Sequence, residues 1–139
     1  MNAQTVLIVD DDSMTRQMLT DMLRLQSYDV HSAESGEDAL RKAKECSPDL
    51  ILLDLIMPGI DGYEVASQLR ADPASRQAAI IMITGRDVTR EKTRALEAGA
   101  DDLLSKPICM AELLARVRMA LNSKAYRDRL ENERSVLEA

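Results

Sequence analysis

The sequence predicts an α/β domain, a doubly wound parallel sheet of five strands in the order 2-1-3-4-5, followed by an extended C-terminal helix. Three observations carry this reading. Apolar runs and helical patterns alternate five times along the 139 residues. The first and third runs, Thr5–Val9 and Leu50–Leu53, are the most apolar, which places them near the centre of the sheet. Polar residues stand at the carboxyl ends of four runs, the edge at which open parallel sheets bind ligands.

Thr5–Val9 reads as a buried strand running into Asp10-Asp11-Asp12. Met14, Met18, Leu19, Met22 and Leu23 then recur at helical spacing, with Asp12 or Ser13 available as N-cap. The methionines of this stripe are expected to pack in the core, since methionine fills irregular gaps well. Tyr28–Ala33 is a half-polar second strand whose His31 is expected to be structural or exposed. Ser35-Gly36-Glu37-Asp38 resembles a capping box with Asp in place of Glu, and Pro48 stops the helix it opens. Leu50–Leu53 ends at Asp54, and the turn-rich Met57–Gly62 loop leads into a helix carrying Tyr63, Val65, Ala66 and Leu69. Ile80–Ile83 ends at Thr84-Gly85, and Thr89–Ala98 is a helix closed by Gly99. Leu103-Leu104-Ser105 is a short strand broken by Lys106-Pro107, and a last helix starts near Met110 with no breaker through Ala139. The strand order is that of flavodoxin-like sheets.

Composition narrows the function. The balance of 18 basic to 24 acidic residues leaves a net charge of −6, so direct nucleic-acid binding by this segment is not expected. No stretch approaches the roughly 18 apolar residues of a membrane span, and the amino terminus lacks a basic region followed by a long apolar run. Cys46 and Cys109 have no metal or disulfide spacing and are expected to be small, partly buried apolar residues. These features predict a cytoplasmic, reduced protein.

At the carboxyl edge the fold brings Asp10, Asp11, Asp54, Thr84 and Lys106 together. Crowded carboxylates repel one another, and a divalent cation relieves the repulsion. Oxygen ligands with room for water and a phosphoryl oxygen suit Mg²⁺. A lysine and a hydroxyl supply charge and a donor for an anion beside the metal, which makes a phosphoryl-transfer site.

Val6-Leu7-Ile8-Val9-Asp10-Asp11, Leu52-Leu53-Asp54, Met57-Pro58-Gly59-Ile60-Asp61-Gly62, Ile83-Thr84 and Lys106-Pro107 resemble the signature set of response-regulator receiver domains. They stand in order at family spacing, over about residues 4–122. The resemblance implies a two-component switch in which Asp54 accepts phosphoryl from a sensor histidine kinase or phosphotransfer protein. It also implies that Asp11, Asp54 and the backbone carbonyl of Ile56 ligate Mg²⁺, with Asp10 acting through a bound water. Lys106 would pair with one phosphoryl oxygen, Thr84 would swing to another, and the Lys106-Pro107 peptide would be cis. Such a protein catalyses only its own phosphoryl transfer and dephosphorylation. Leu103 departs from the family, which usually has Tyr or Phe three residues before the lysine, and Gly85 replaces a common Ala. Ile56 and Arg86 occupy the positions that tune hydrolysis.

The expected receiver spans residues 1–122, and residues 123–139 form a helical arm or linker toward an output domain or a partner. The arm holds four basic and four acidic residues, paired at i,i+4 as Lys124–Asp128, Arg127–Glu131, Arg129–Glu133 and Arg134–Glu138. A helix is expected where the arm grows from the fifth helix or packs on a partner through Tyr126, Leu130 and Leu137; the second, a homodimer, is the expectation. With no output domain in the chain, it reads as a fragment or a stand-alone regulator. Two rival functions remain at this level. A haloacid-dehalogenase-like phosphatase would use a D-x-D-x-[TV] pattern, which Asp10–Met14 fails at Met14. A receiver serving only as a binding scaffold would not need the intact Asp11, Asp54, Thr84 and Lys106 set.

Overall fold

The computed structural model describes residues 3–138. The chain runs β1 (Thr5–Val9), α1 (Ser13–Leu25), β2 (Asp29–Ala33), α2 (Gly36–Cys46), β3 (Leu50–Asp54), α3 (Gly62–Ala71), β4 (Ala79–Thr84), α4 (Val88–Ala98), β5 (Asp102–Ser105) and α5 (Met110–Glu138). The strands form one parallel sheet in the order β2-β1-β3-β4-β5. Every residue of β3 and β4 is buried, as continuous apolar runs in a sheet covered on both faces require.

Alternation along the strands divides the core in two. Leu7, Val9, Ile51, Leu53, Ile80 and Met82 face α2, α3 and α4, where they meet Ala39, Val65, Leu69 and Ala95. Val6, Ile8, Leu50, Leu52, Ile81 and Ile83 face α1 and α5, where they meet Leu19, Leu23, Leu113, Val117 and Leu121. Aliphatic side chains fill both layers, and Tyr63 is the one aromatic among the buried residues described.

Local chemistry sets the helix ends. Ser35 accepts the Asp38 N–H at 3.1 Å, and Asp38 reaches back to the Glu34 N–H at 3.3 Å, one residue earlier than a Glu-based box would. Asp61 caps α3 by accepting the Glu64 N–H at 2.9 Å. Asp12 is the N-cap residue of α1, but its carboxylate accepts the Thr15 hydroxyl at 2.5 Å instead of a backbone donor. Gly99 closes α4 at φ 111°, in the left-handed region that favours glycine.

Two expectations are corrected. Met14 and Met18 are not core residues: they are 80% and 44% exposed, and of the three methionines only Met22 packs against the core. At about 100° per residue Met14 lies about 140° around the helix from Leu19, so both cannot face the sheet, and Leu19 with Leu23 takes the buried side. Cys109 is exposed because it directly precedes α5 on the loop that leaves β5, where its carbonyl accepts the Leu113 N–H at 2.9 Å. Cys46 is half-buried as expected, and burial pushes its thiol pKa up. His31 is exposed beside Asp29, 3.3 Å away and remote from the acidic edge.

The last helix runs unbroken past Asn122. Lys124 joins it to the body, 3.4 Å from Asp49 and 2.7 Å from Asp128. The arm thus grows from the folded fifth helix, the first of the two alternatives. The pairs Arg127–Glu131, Arg129–Glu133 and Arg134–Glu138, and the side chains of Tyr126 and Leu137, lie outside the described residues. Among the described residues no helix is long and apolar enough to cross a membrane.

Candidate functional site

Four strand ends build the site. β1 delivers Asp10, buried, and Asp11, exposed, to the edge of the sheet. The Asp10 carboxylate turns back to accept the Asp12 N–H at 2.9 Å, which fixes its rotamer. Arg16 of α1 donates to the Asp10 carbonyl at 2.7 Å and holds the loop against the helix. β3 ends on Asp54, only 5% exposed, and Asp54 Oδ1 accepts the Ile56 N–H at 3.3 Å. Oxygens of Asp10, Asp11 and Asp54 lie within 4.8 Å of one another.

β4 and β5 supply the other two groups. Thr84 is fully buried, and its hydroxyl accepts the Arg86 N–H at 3.0 Å. The Lys106 N–H bonds the Thr84 carbonyl at 2.8 Å, continuing the ladder one residue beyond β5. The Lys106-Pro107 peptide is cis. Lys106 Nζ stands 3.4 Å from Asp54 Oδ2 and 3.8 Å from Asp10 Oδ2.

The electrostatics follow from the count. Like charges about 4 Å apart repel by about 4 kcal/mol at the effective dielectric of a protein surface. Burial, then the charge of Asp10, pushes the Asp54 pKa above its ordinary value, and Lys106 offsets only part of this. Three carboxylates against one lysine leave two negative charges, which a divalent cation would neutralise. The donors in the cluster are all oxygen, without histidine or thiolate, so they fit a hard cation such as Mg²⁺ and disfavour zinc. Asp12 stands outside this cluster, so the Asp10-x-Asp12 pair that a dehalogenase-like phosphatase would need is not assembled.

The sequence-predicted residues thus converge: Asp10, Asp11, Asp54 and Lys106 form one cluster, Thr84 is buried at the end of β4 with its carbonyl bonded to the Lys106 N–H, and Ile56 is half-exposed. Three contributions are not apparent from residue type and order. Arg16 acts through a carbonyl six residues away, with no motif to mark it. Gly62 lets the Met57–Gly62 loop press on the site strand, because a Cβ there would meet the Leu55 Cα at 2.8 Å and the Asp54 carbonyl at 2.9 Å. A part-buried pair joins α3 to α4 beside the site: the Tyr63 hydroxyl donates to Glu91, and the Arg94 guanidinium lies 4.0 Å from the centre of the Tyr63 ring.

Comparison with known proteins agrees with the fold. The response regulator receiver domain family matches residues 6–118. The chain is 42% identical to the DNA-binding response regulator MtrA of Mycobacterium leprae over 118 residues, which is 85% of this chain and 51% of that protein. It is 39% identical to the response regulator PleD of Caulobacter vibrioides over 125 residues, 90% of this chain and 28% of that protein. The chain therefore spans about half the length of MtrA and less of PleD. Among solved structures, a CheY-like receiver domain protein of Methanospirillum hungatei superposes with a TM-score of 0.85 at 25% identity, covering 91% of this chain and 99% of that one. A response regulator structure from Chloroflexus aurantiacus gives 0.81 at 39% identity, covering 87% and 99%. Chemotaxis protein CheY4 of Vibrio cholerae gives 0.82 at 30% identity, covering 86% and 99%.

Proposed function

This chain belongs to the response regulator receiver domain family of two-component signalling, and on that premise we propose that it is a switch whose phosphoacceptor is Asp54. The observation that carries the assignment is the position of Asp54: it is the one carboxylate that is central in the sheet, grouped with Asp10 and Asp11, and within 3.4 Å of Lys106. The phosphodonor is a phosphohistidine of a sensor kinase or phosphotransfer protein. An Asp54 carboxylate oxygen attacks phosphorus, the O–P bond forms as the P–N bond breaks, and the imidazole leaves and takes a proton from water.

Receiver domains generally bind Mg²⁺ at such an acidic pocket, and here Asp11, Asp54 and the Ile56 carbonyl would hold it, with Asp10 acting through water. When bound, the ion neutralises the carboxylates and the charge developing on the phosphoryl oxygens. Lys106 Nζ is placed to pair with a phosphoryl oxygen, because it already faces the Asp54 carboxylate. The Thr84 hydroxyl would exchange its Arg86 N–H for a second phosphoryl oxygen, to which it can donate.

Net charge −6 supports a chain that acts on protein partners and does not itself bind nucleic acid. Residues 123–139 would carry the signal onward as a helical arm, either to an output domain or to a second copy through Leu130 and its neighbours. Truncation at Asn122, followed by sedimentation with and without acetyl phosphate, tests the arm: equal self-association of both chains in both states removes it from the mechanism.

The phosphoacceptor assignment is tested by incubating the chain with acetyl phosphate and Mg²⁺ and weighing the intact protein. One phosphoryl mass is expected, lost on chelation and in Asp54→Asn; unchanged labelling of Asp54→Asn refutes the assignment. Asp11→Asn is expected to weaken Mg²⁺ binding, and an unchanged affinity removes Asp11 from the ligand set.

A further inference from the structure

Position 103, part-buried and packed against the core, is a leucine, so it offers no polar group to report on the site. The polar path that leaves the site runs elsewhere. The Thr84 hydroxyl accepts the Arg86 N–H at 3.0 Å. The Arg86 guanidinium stands 3.7 Å from Glu91 in α4, and the other oxygen of that carboxylate accepts the Tyr63 hydroxyl from α3. Arg94, one turn on from Glu91, covers the Tyr63 ring. Arg86, Ile56, Tyr63 and Arg94 line one recess of about 100 Å³ beside Asp54.

The burial of the partners differs, and this decides which of them can move. The Glu91 side chain is 15% exposed and Tyr63 is 8% exposed, so neither can leave for solvent cheaply. The Arg86 side chain is 59% exposed and held through a single long contact. Such a pair is weak, of the order of a surface salt bridge. Phosphorylation of Asp54 exchanges one carboxylate charge for nearly two on the phosphoryl oxygens, a net gain of about one, and places three acceptors next to this recess. Arg86 is a cation that lines this recess with an exposed side chain, and the donor that Thr84 now holds is the backbone N–H of the same residue.

We propose that Arg86, Glu91 and Tyr63 form a relay that reports the state of Asp54 to the α3–α4 face. In the unphosphorylated chain Arg86 is parked on Glu91. Phosphorylation draws Arg86 and the Thr84 hydroxyl toward the phosphoryl group, and Glu91 is left to Tyr63 and the nearby Arg94. The Tyr63 hydroxyl then keeps its bond to the part-buried Glu91 carboxylate without the competing Arg86, and α3 and α4 readjust around that bond. Tyr63 and Glu91 are positioning residues here: neither touches the phosphoryl group.

This relay rests on Asp54 being the phosphoacceptor, and one experiment separates the two claims. The full chain is labelled with ¹³C at the hydroxyl-bearing carbon of its three tyrosines, Tyr28, Tyr63 and Tyr126. Tyr63→Phe identifies the Tyr63 signal. Acetyl phosphate with Mg²⁺ is then added, and phosphoryl mass is measured on the same sample. The expected result is full phosphoryl uptake with displacement of the Tyr63 signal and loss of that displacement in Glu91→Gln, which still takes up phosphoryl. Uptake with a stationary Tyr63 signal overturns the relay alone, as does an equal shift of all three tyrosines or an undiminished response in Glu91→Gln. Absence of uptake overturns the Asp54 assignment and the relay with it.

Discussion

Lys106 Nζ stands 3.4 Å from Asp54 Oδ2, across the ends of β5 and β3, with Asp10 0.4 Å more distant at 3.8 Å. One cation is therefore shared between two buried carboxylates, and neither is fully compensated. Lys106→Ala should push the Asp54 pKa further up, since it removes the main opposing charge. It should cost the fold about 1 kcal/mol at neutral pH, the modest value of a partly exposed pair. Mg²⁺ should bind at least as tightly, because a competing cation is gone. Denaturant melts and metal titration check both points; loss of Mg²⁺ binding would make Lys106 part of the metal site's architecture.

The raised pKa of Asp54 has a stability consequence of definite sign. A carboxyl group that is harder to ionise folded than unfolded favours the fold below the ordinary carboxylate range and loses that contribution as pH rises through its raised pKa. At neutral pH the ionised Asp54 is therefore a burden on the fold. Asp54→Asn should melt at a higher temperature than wild type at pH 7, and the gap should close in acid. Saturating Mg²⁺ should raise the melting temperature of wild type, by about 2.7 kcal/mol of stability at one hundred times the dissociation constant, and raise that of Asp54→Asn less.

Ile56 is half-exposed at the mouth of the site, and its side chain has no group to orient an attacking water. The aspartyl phosphate should be long-lived for this family. Ile56→Asn should accelerate its loss about tenfold, equivalent to about 1.4 kcal/mol in the barrier. Decay of phosphoryl mass after removal of donor measures this, and an unchanged or slower rate would show that Ile56 does not shield the bond.

Arg70 is the main polar fastener at the opposite end of the sheet. Its guanidinium donates to the Gly99 carbonyl at 2.9 and 2.7 Å, to the Arg76 carbonyl at 2.8 Å, to the Ala78 carbonyl, and to Asp101 at 2.9 Å. A lysine has no planar fork and cannot satisfy these carbonyls together. Arg70→Lys should cost about 2–3 kcal/mol and leave phosphoryl uptake intact. Chemical denaturation with parallel mass measurement checks the separation.

Much of this protein was determined by its sequence alone. Five apolar runs set the strands, Pro48 and Gly99 ended helices, and Asp10, Asp11, Asp54, Thr84 and Lys106 could be placed at strand ends because parallel strands present their carboxyl ends on one edge. Such inferences depend on local periodicity and on topology, which one chain carries along its own length. What only the tertiary structure decided depends on direction and distance. Met14 and Met18 share the spacing of core residues, but the α1 stripe is wider than the surface it can bury, and packing against the sheet chose Leu19 and Leu23. Arg16, Arg70 and Gly62 act on backbone atoms, which every residue possesses, so no side-chain pattern marks their partners. Tyr63 and Glu91 stand 28 residues apart and meet because α3 and α4 pack on the same face of the sheet.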